Sequence, residues 1–226
     1  MKALLWKDLR VNLPIMVAAV VIWTAAHTVA GAVLLLYAGH EQRTDAVSWS
    51  LALTRVTAAS LMFSQVLIGA LGANAMAAER GDRSAEFLFC LPATRRQILA
   101  SKFVVAWAIV LAIWLWHVFI LEIICPAFGA GVIARGLPSY SSVAVSGFSV
   151  FGGAWLASSF MKSTAYALLL GMTPFAVIGI LFMNNVVLKG WPPEATRESW
   201  YLGIHLTLGV LAFAAGTWYF ARRVEP

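Results

Sequence analysis

An all-helical fold that crosses a lipid bilayer several times is predicted for this chain, and three observations predict it. Of its 226 residues 61% are apolar and only 12% are charged, about half the charge of a soluble domain. A globule of that size cannot hide so much apolar surface behind so few charges, so lipid is the expected solvent. The apolar residues also fall into long runs separated by polar or proline-containing breaks, and the basic residues sit unevenly on the two sides of those runs. Disorder, a collagen-like helix and a disulfide scaffold are excluded by the same composition.

The runs lie at about 15 to 38, 56 to 78, 103 to 125, 140 to 160, 164 to 188 and 200 to 221. A crossing takes roughly 22 residues, so these are six membrane helices, and little is left for a domain outside the bilayer. Lys2, Lys7 and Arg10 ahead of the first run imitate a secretory signal, but the stretch from Pro14 to Ala38 is too long for one and is expected to be a retained span. The fourth run is the least apolar, with Ser139, Ser141, Ser142, Ser146 and Ser149 beside Gly147, Gly152 and Gly153. Small residues suit a helix that faces other helices, so it is expected to be an inside helix.

Six spans put both termini on one side. That side then holds Lys2, Lys7, Arg10, Arg80, Arg83, Arg95, Arg96, Lys102, Lys162, Arg222 and Arg223, eleven basic residues, against five opposite (Arg43, Arg55, Arg135, Lys189, Arg197). The excess marks the cytoplasm. The net charge of +6 is therefore a topology signal and a lipid anchor rather than a nucleic-acid footprint. Trp6, Trp49, Trp107, Trp191, Trp200 and Trp218 fall near span ends, where an indole sits well among headgroups. In residues 1–13, Met1, Leu5, Leu9 and Leu13 recur every fourth position with Lys7 and Arg10 roughly opposite. This suits a helix lying in the cytoplasmic interface, or equally an extension of the first span.

Enzymatic chemistry has few handles here. The chain contains no Gly-x-x-x-x-Gly-Lys-Ser/Thr loop, no Gly-x-Gly-x-x-Gly fingerprint, no His-Glu-x-x-His pair and no Gly-x-Ser-x-Gly elbow. Cys90 and Cys125, 35 positions apart, have no metal-ligand spacing and read as free thiols. Polar residues within spans are candidates for a substrate route: Gln65 and Asn74 in the second, Glu122 in the third, and His27, His117 and His205. His117 and Glu122 are five residues apart, an offset of roughly 140 degrees, so they do not share a helix face. Pro174 falls midway along the fifth span and frees a carbonyl there.

The informative stretch joins the second and third spans, residues 79–102. Ser84 can cap a short helix carrying Glu86 in its first turn, and Pro92 ends it after Leu91. Thr94 and Gln97 then form a capping box that starts the third span. On the short helix Phe87, Leu88 and Leu91 make an apolar face edged by Glu79, Arg80, Glu86, Arg95 and Arg96. Such a face either tucks against lipid and neighbouring helix ends or docks a partner, since an apolar centre with a charged edge is how interfaces are built. Just before it, Gly69, Ala73 and Ala77 form a small-residue row that admits another span or the second copy of a dimer.

The order Glu79-Arg80, Ser84-x-Glu86-x-Leu88, Leu91-Pro92-x-Thr94-Arg95-Arg96-x-Ile98 and Lys102 resembles the cytoplasmic loop of ABC-2 type transporter permeases. Six spans, a short amphipathic N-terminal segment and the missing nucleotide site fit the same family. Serine at position 84 stands where threonine is more usual and keeps the capping hydroxyl. The resemblance implies that residues 1–226 form one permease domain in a bacterial inner membrane, that the loop holds a coupling helix, and that separate ABC ATPase subunits carry the ATP and Mg. Glu79, Arg80, Glu86, Phe87, Leu88, Leu91, Pro92 and Arg95 would be the contact and hinge positions. The second and fifth helices would line the substrate path against a second permease, making Gln65, Asn74, Thr173 and Asn184 lining candidates, with Glu122 a further one from its polarity. The implied function is export as a transport subunit without catalytic activity or a cofactor of its own. Two other classes stay open on residues alone: a proton-coupled secondary carrier using Glu122 and the histidines, and a membrane-embedded haem- or metal-handling protein or enzyme.

Overall fold

In the computed structural model residues 2–41, 46–81, 94–124, 140–189 and 196–222 are described. They form six long helices and no strand among the described residues: α1 (Lys2–Glu41), α2 (Ala46–Gly81), α3 (Arg95–Phe119, continued by a π-helical turn Ile120–Ile124), α4 (Tyr140–Ser158), α5 (Thr164–Lys189) and α6 (Arg197–Arg222). Each of the six apolar runs of the sequence overlaps one of these helices, the fourth ending at Ser158 rather than near 160. Five of the helices are long and apolar enough to cross a membrane, and α4 is not among them.

The chain divides into two compact units, one of Met1–Asn12, Gln65–Ala106 and Ser139–Pro226, the other of Leu13–Ser64 and Trp107–Pro138. In the first unit α4 packs against α5 and α6. Its two central glycines explain how closely. A Cβ on Gly152 would lie 2.5 Å from the Gly209 carbonyl oxygen of α6, and one on Gly153 would lie 2.6 Å from that of Gly171 in α5. The backbones touch there, and any side chain would force them apart.

Burial accounts for the later serines of α4. Val150, Phe151, Ala154, Trp155 and Ala157 are buried along with Ser146, Ser149 and Ser158. Ser146 and Ser158 donate to the Val143 and Trp155 carbonyls one turn back, each at 2.8 Å. A hydroxyl satisfied in this way costs little inside a helix bundle, so a helix shielded from lipid need not be strongly apolar. Phe151 stacks with Phe213 of α6 at a centroid distance of 6.3 Å, Trp155 meets the same ring tilted at 5.1 Å, and Phe103 of α3 joins Phe213 at 5.4 Å. The Trp155 indole donates to Thr217 Oγ1 at 3.2 Å. Along α2, Ala73 and Ala77 are sealed against Ala154, Ala157 and Ala167, and Gly69 faces Leu168 and Val150. The small-residue row of α2 is thus filled by α4 and α5 of the same chain.

Helix direction alternates within this unit. The Arg95 guanidinium at the start of α3 donates to the Ala221 carbonyl at the end of α6, at 3.3 Å. A Cβ on Gly81, the last residue of α2, would lie 2.9 Å from the Lys162 carbonyl in the turn between α4 and α5. Starts of odd-numbered helices and ends of even-numbered ones therefore share one end. Surfaces away from these contacts are strongly apolar, with Leu169 64%, Ile180 61% and Leu211 62% exposed, the pattern of helices solvated by lipid.

Residues 2–13 are not a separate interfacial element. α1 runs unbroken through Pro14 to Glu41, so the segment extends the first span. Its inward stripe is Leu4, Asp8 and Asn12, all buried, while Trp6, Leu9 and Leu13 are exposed. An apolar side turned outward suits a lipid medium, in which polar groups gain most by turning inward to partners.

The second unit is held by hydroxyls. Thr54, Thr57, Ser60 and Ser64 of α2 are all buried and recur every three or four residues, one helix face. Two of them meet histidines of α1 and α3, described below.

Candidate functional site

The strongest polar feature of the first unit lies at the root of the loop between α2 and α3. Glu79, in the last turn of α2, receives the Lys7 ammonium of α1 and, at 2.6 Å, the Lys102 ammonium of α3 on the same oxygen, Oε1. Lys102 Nζ is also 3.4 Å from Asp8 Oδ1, and Ser101 Oγ donates to Asp8 Oδ2. Asp8, Glu79, Ser101 and Lys102 are each 5% exposed or less. Two lysines against two carboxylates leave no net charge, the condition under which charges can be held away from water. Lys7 is the outlier, with its side chain 30% exposed.

Neutral groups continue the cluster along α1 and α2. Asn12 Nδ2 donates to the Asp8 carbonyl at 2.8 Å, and Asn74 Nδ2 donates to Asn12 Oδ1 at 3.1 Å and to the Val11 carbonyl at 3.3 Å. Thr164 Oγ1 at the start of α5 donates to Asn74 Oδ1 at 3.5 Å. Leu4 packs on Ile98 beneath the ionic layer. Four helices are thereby tied together where the loop leaves α2 and where α3 begins.

The far root of the loop is capped as the sequence predicts. Gln97 N donates to Thr94 Oγ1 at 3.3 Å while Thr94 N donates to Gln97 Oε1 at 2.9 Å, a reciprocal box that starts α3 at Arg95. Of the coupling positions named from the sequence, Glu79 is buried in the ionic cluster, Arg80 is partly buried beside it in α2, and Arg95 binds the end of α6. Glu86, Phe87, Leu88, Leu91 and Pro92 lie outside the described residues, as do Cys90 and Cys125.

The substrate-path candidates do not converge. Gln65 is buried against Gly147 of α4, where a Cβ would collide with its amide. Asn74 belongs to the polar cluster. Thr173 is exposed and donates to the Leu169 carbonyl at 2.8 Å, and Asn184 and Glu122 are exposed as well. His205 is fully buried between Tyr201 and Phe175, at ring-centroid distances of 4.4 and 5.3 Å. Among the described residues no three His, Cys, Asp or Glu side chains are grouped as metal ligands.

Sequence reasoning missed Asp8, Asn12, Ser101 and Lys102 as a set. Asp8 was the available signal, a lone acid in an otherwise basic segment, but its partners are over 90 positions away.

A profile of the ABC-2 family transporter proteins matches residues 4–219 of this chain, nearly its whole length. The chain belongs to the ABC-2 transporter family. No curated protein and no solved structure matches it. Membership makes this ABC-2 protein a membrane component of transport, and its long apolar helices fit an integral membrane protein.

Proposed function

We propose that this ABC-2 protein is the permease subunit of an ATP-driven exporter, working as a pair with a second copy or a similar permease and with two separate ABC ATPase subunits. One observation carries the reading: a charge-balanced, buried cluster joins α1, α2 and α3 where the loop of residues 82–93 is rooted. A chain without a phosphate loop must borrow its free energy. It can do so only through an element that moves rigidly with its own helices. An ionic layer held at both ends of one loop supplies that rigidity, because separating its charges inside the protein is costly.

In this reading the 82–93 segment is the coupling helix, with Phe87, Leu88 and Leu91 docking on the ATPase and Glu86, Arg80 and Arg95 at the rim. Closure of the ATPases on ATP and Mg pushes the segment, and the cluster passes the displacement to three helices at once. α4 is the sixth crossing, shielded by α5 and α6, which the alternating helix directions support. The end carrying Lys7, Arg80, Arg95, Lys102 and Lys162 is cytoplasmic by the basic-residue rule, with both termini there in a bacterial inner membrane. Thr173, Asn184 and Glu122, exposed on the single chain, are available to line a path against a second permease, and Gln65 and Asn74 complete the candidate set.

Co-purification tests this. Affinity-tagged protein from its native host is expected to bring down a nucleotide-binding subunit with a phosphate loop, and Phe87→Asp with Leu91→Asp is expected to lose it while the permease stays folded and membrane-inserted. Transport by the purified chain alone in liposomes under a pH gradient would refute the reading in favour of a secondary carrier.

A further inference from the structure

The second unit contains a polar arrangement to which coupling assigns no role. His27 of α1 and His117 of α3 each approach α2 in the same way. Each ring places Nδ1 2.7 Å from a carbonyl one turn back on its own helix, Trp23 for His27 and Ile113 for His117. Each places Nε2 on a hydroxyl of α2, Thr57 Oγ1 at 3.2 Å and Ser60 Oγ at 3.1 Å. Thr57 and Ser60 lie three residues apart on one face of α2, so the two rings occupy neighbouring positions along it, and Trp23 stands perpendicular to His117 with centroids 5.1 Å apart.

Counting hydrogens determines what this geometry can hold. A carbonyl only accepts, so both Nδ1 atoms carry a hydrogen, and a neutral ring then has its lone pair on Nε2. Each hydroxyl has one hydrogen and two possible acceptors: the facing Nε2, or a carbonyl on α2, Leu53 at 2.8 Å for Thr57 and Thr57 at 2.9 Å for Ser60. With a neutral ring the hydroxyl donates to Nε2. With a protonated ring Nε2–H donates to the hydroxyl oxygen, and the hydroxyl hydrogen swings to the carbonyl. Both states leave every ring nitrogen and hydroxyl bonded, and only a hydroxyl rotates between them. A buried histidine kept for packing alone has no need of a partner that works in both directions.

We infer that His27 and His117, with Thr57 and Ser60, form an intramembrane site that binds one proton. The pair holds one rather than two because adjacent imidazolium ions repel and no carboxylate among the described residues faces them. Glu122 on α3 is exposed, and so is Arg55 on α2. Ionisable groups at such depth are expensive and are seldom retained without a use. This inference does not depend on the coupling reading.

Nitrogen-15 NMR of the histidine-labelled, full-length protein in lipid bilayers tests it, with His40→Gln and His205→Gln assigning the remaining signals. Above neutral pH both rings are expected as the Nδ1–H form. On acidification the pair is expected to gain one imidazolium in total, with no second one following at the other ring while the protein stays folded. Thr57→Val should shift that proton to His117 and Ser60→Ala to His27, each by about tenfold or more, since each change takes away the acceptor of a charged donor. An Nε2–H form at either ring of the neutral protein, two protons taken up together, or none taken up before the protein unfolds in acid would overturn the site. The wild-type spectra decide this even where a hydroxyl variant fails to fold.

Discussion

Glu79→Gln perturbs the loop root with almost no change of shape. In the wild type, Glu79 Oε1 holds both Lys7 and Lys102, and Lys102 is 4% exposed with Asp8 at 3.4 Å as its other anion. The amide introduced by Glu79→Gln would keep an acceptor but no charge, leaving the buried Lys102 ammonium with Asp8 as its one counter-ion. Removing one member of a buried pair costs about 3–5 kcal/mol. The retained acceptor places Glu79→Gln near the lower end, about 3 kcal/mol, and Glu79→Ala near the upper. Lys7→Gln serves as the internal control: its side chain is 30% exposed, so the loss should be under about 1 kcal/mol. Adding Lys102→Met to Glu79→Gln takes away the stranded cation. The double variant should therefore be more stable than the sum of the two single losses by about 1–3 kcal/mol. Reversible unfolding in mixed micelles, followed through the ten tryptophans, measures all of these variants. A cost for Glu79→Gln within about 0.5 kcal/mol of zero, or equal to that of Lys7→Gln, would refute the claim that this layer is structurally rigid.

Gly152→Ala should destabilise by about 1–3 kcal/mol, because its methyl would meet the Gly209 carbonyl. Gly203→Ala meets nothing within 4 Å and should be neutral or stabilising by up to about 1 kcal/mol in the same unfolding assay. Thr94→Ala removes half of the capping box and should cost about 1 kcal/mol, seen as faster hydrogen exchange at the Gln97 amide. The ionic cluster should be insensitive to salt, since buried charges are poorly screened; unfolding midpoints of wild type and Glu79→Gln should keep the same separation at low and high ionic strength.

Much of this architecture is legible in the residues alone. Lipid as solvent makes apolar length the dominant signal, so each apolar run marks a helix, and the Thr94–Gln97 box locates the start of α3 because capping is a local event. The row Gly69, Ala73, Ala77 announced close packing but not its partner, which proved to be α4 and α5. The N-terminal segment misled in one respect: its stripe of leucines suggested a separate interfacial helix, whereas nothing local to Pro14 stops α1, and the stripe that matters inside is Leu4, Asp8, Asn12. The cluster itself was not legible. Its charges lie on three helices, and pairing across 72 to 94 positions is a tertiary event that no periodicity records. The hydroxyl partners of His27 and His117 were hidden for the same reason.

Nucleotide-dependent cross-linking at Leu88 tests the central claim most directly. With Leu88→Cys in a chain whose Cys90 and Cys125 are replaced by serine, native vesicles should give a cross-link to an ABC ATPase subunit whose yield changes between the nucleotide-free and ATP-bound states. Absence of any such product in either state, from vesicles that still transport, would contradict the account.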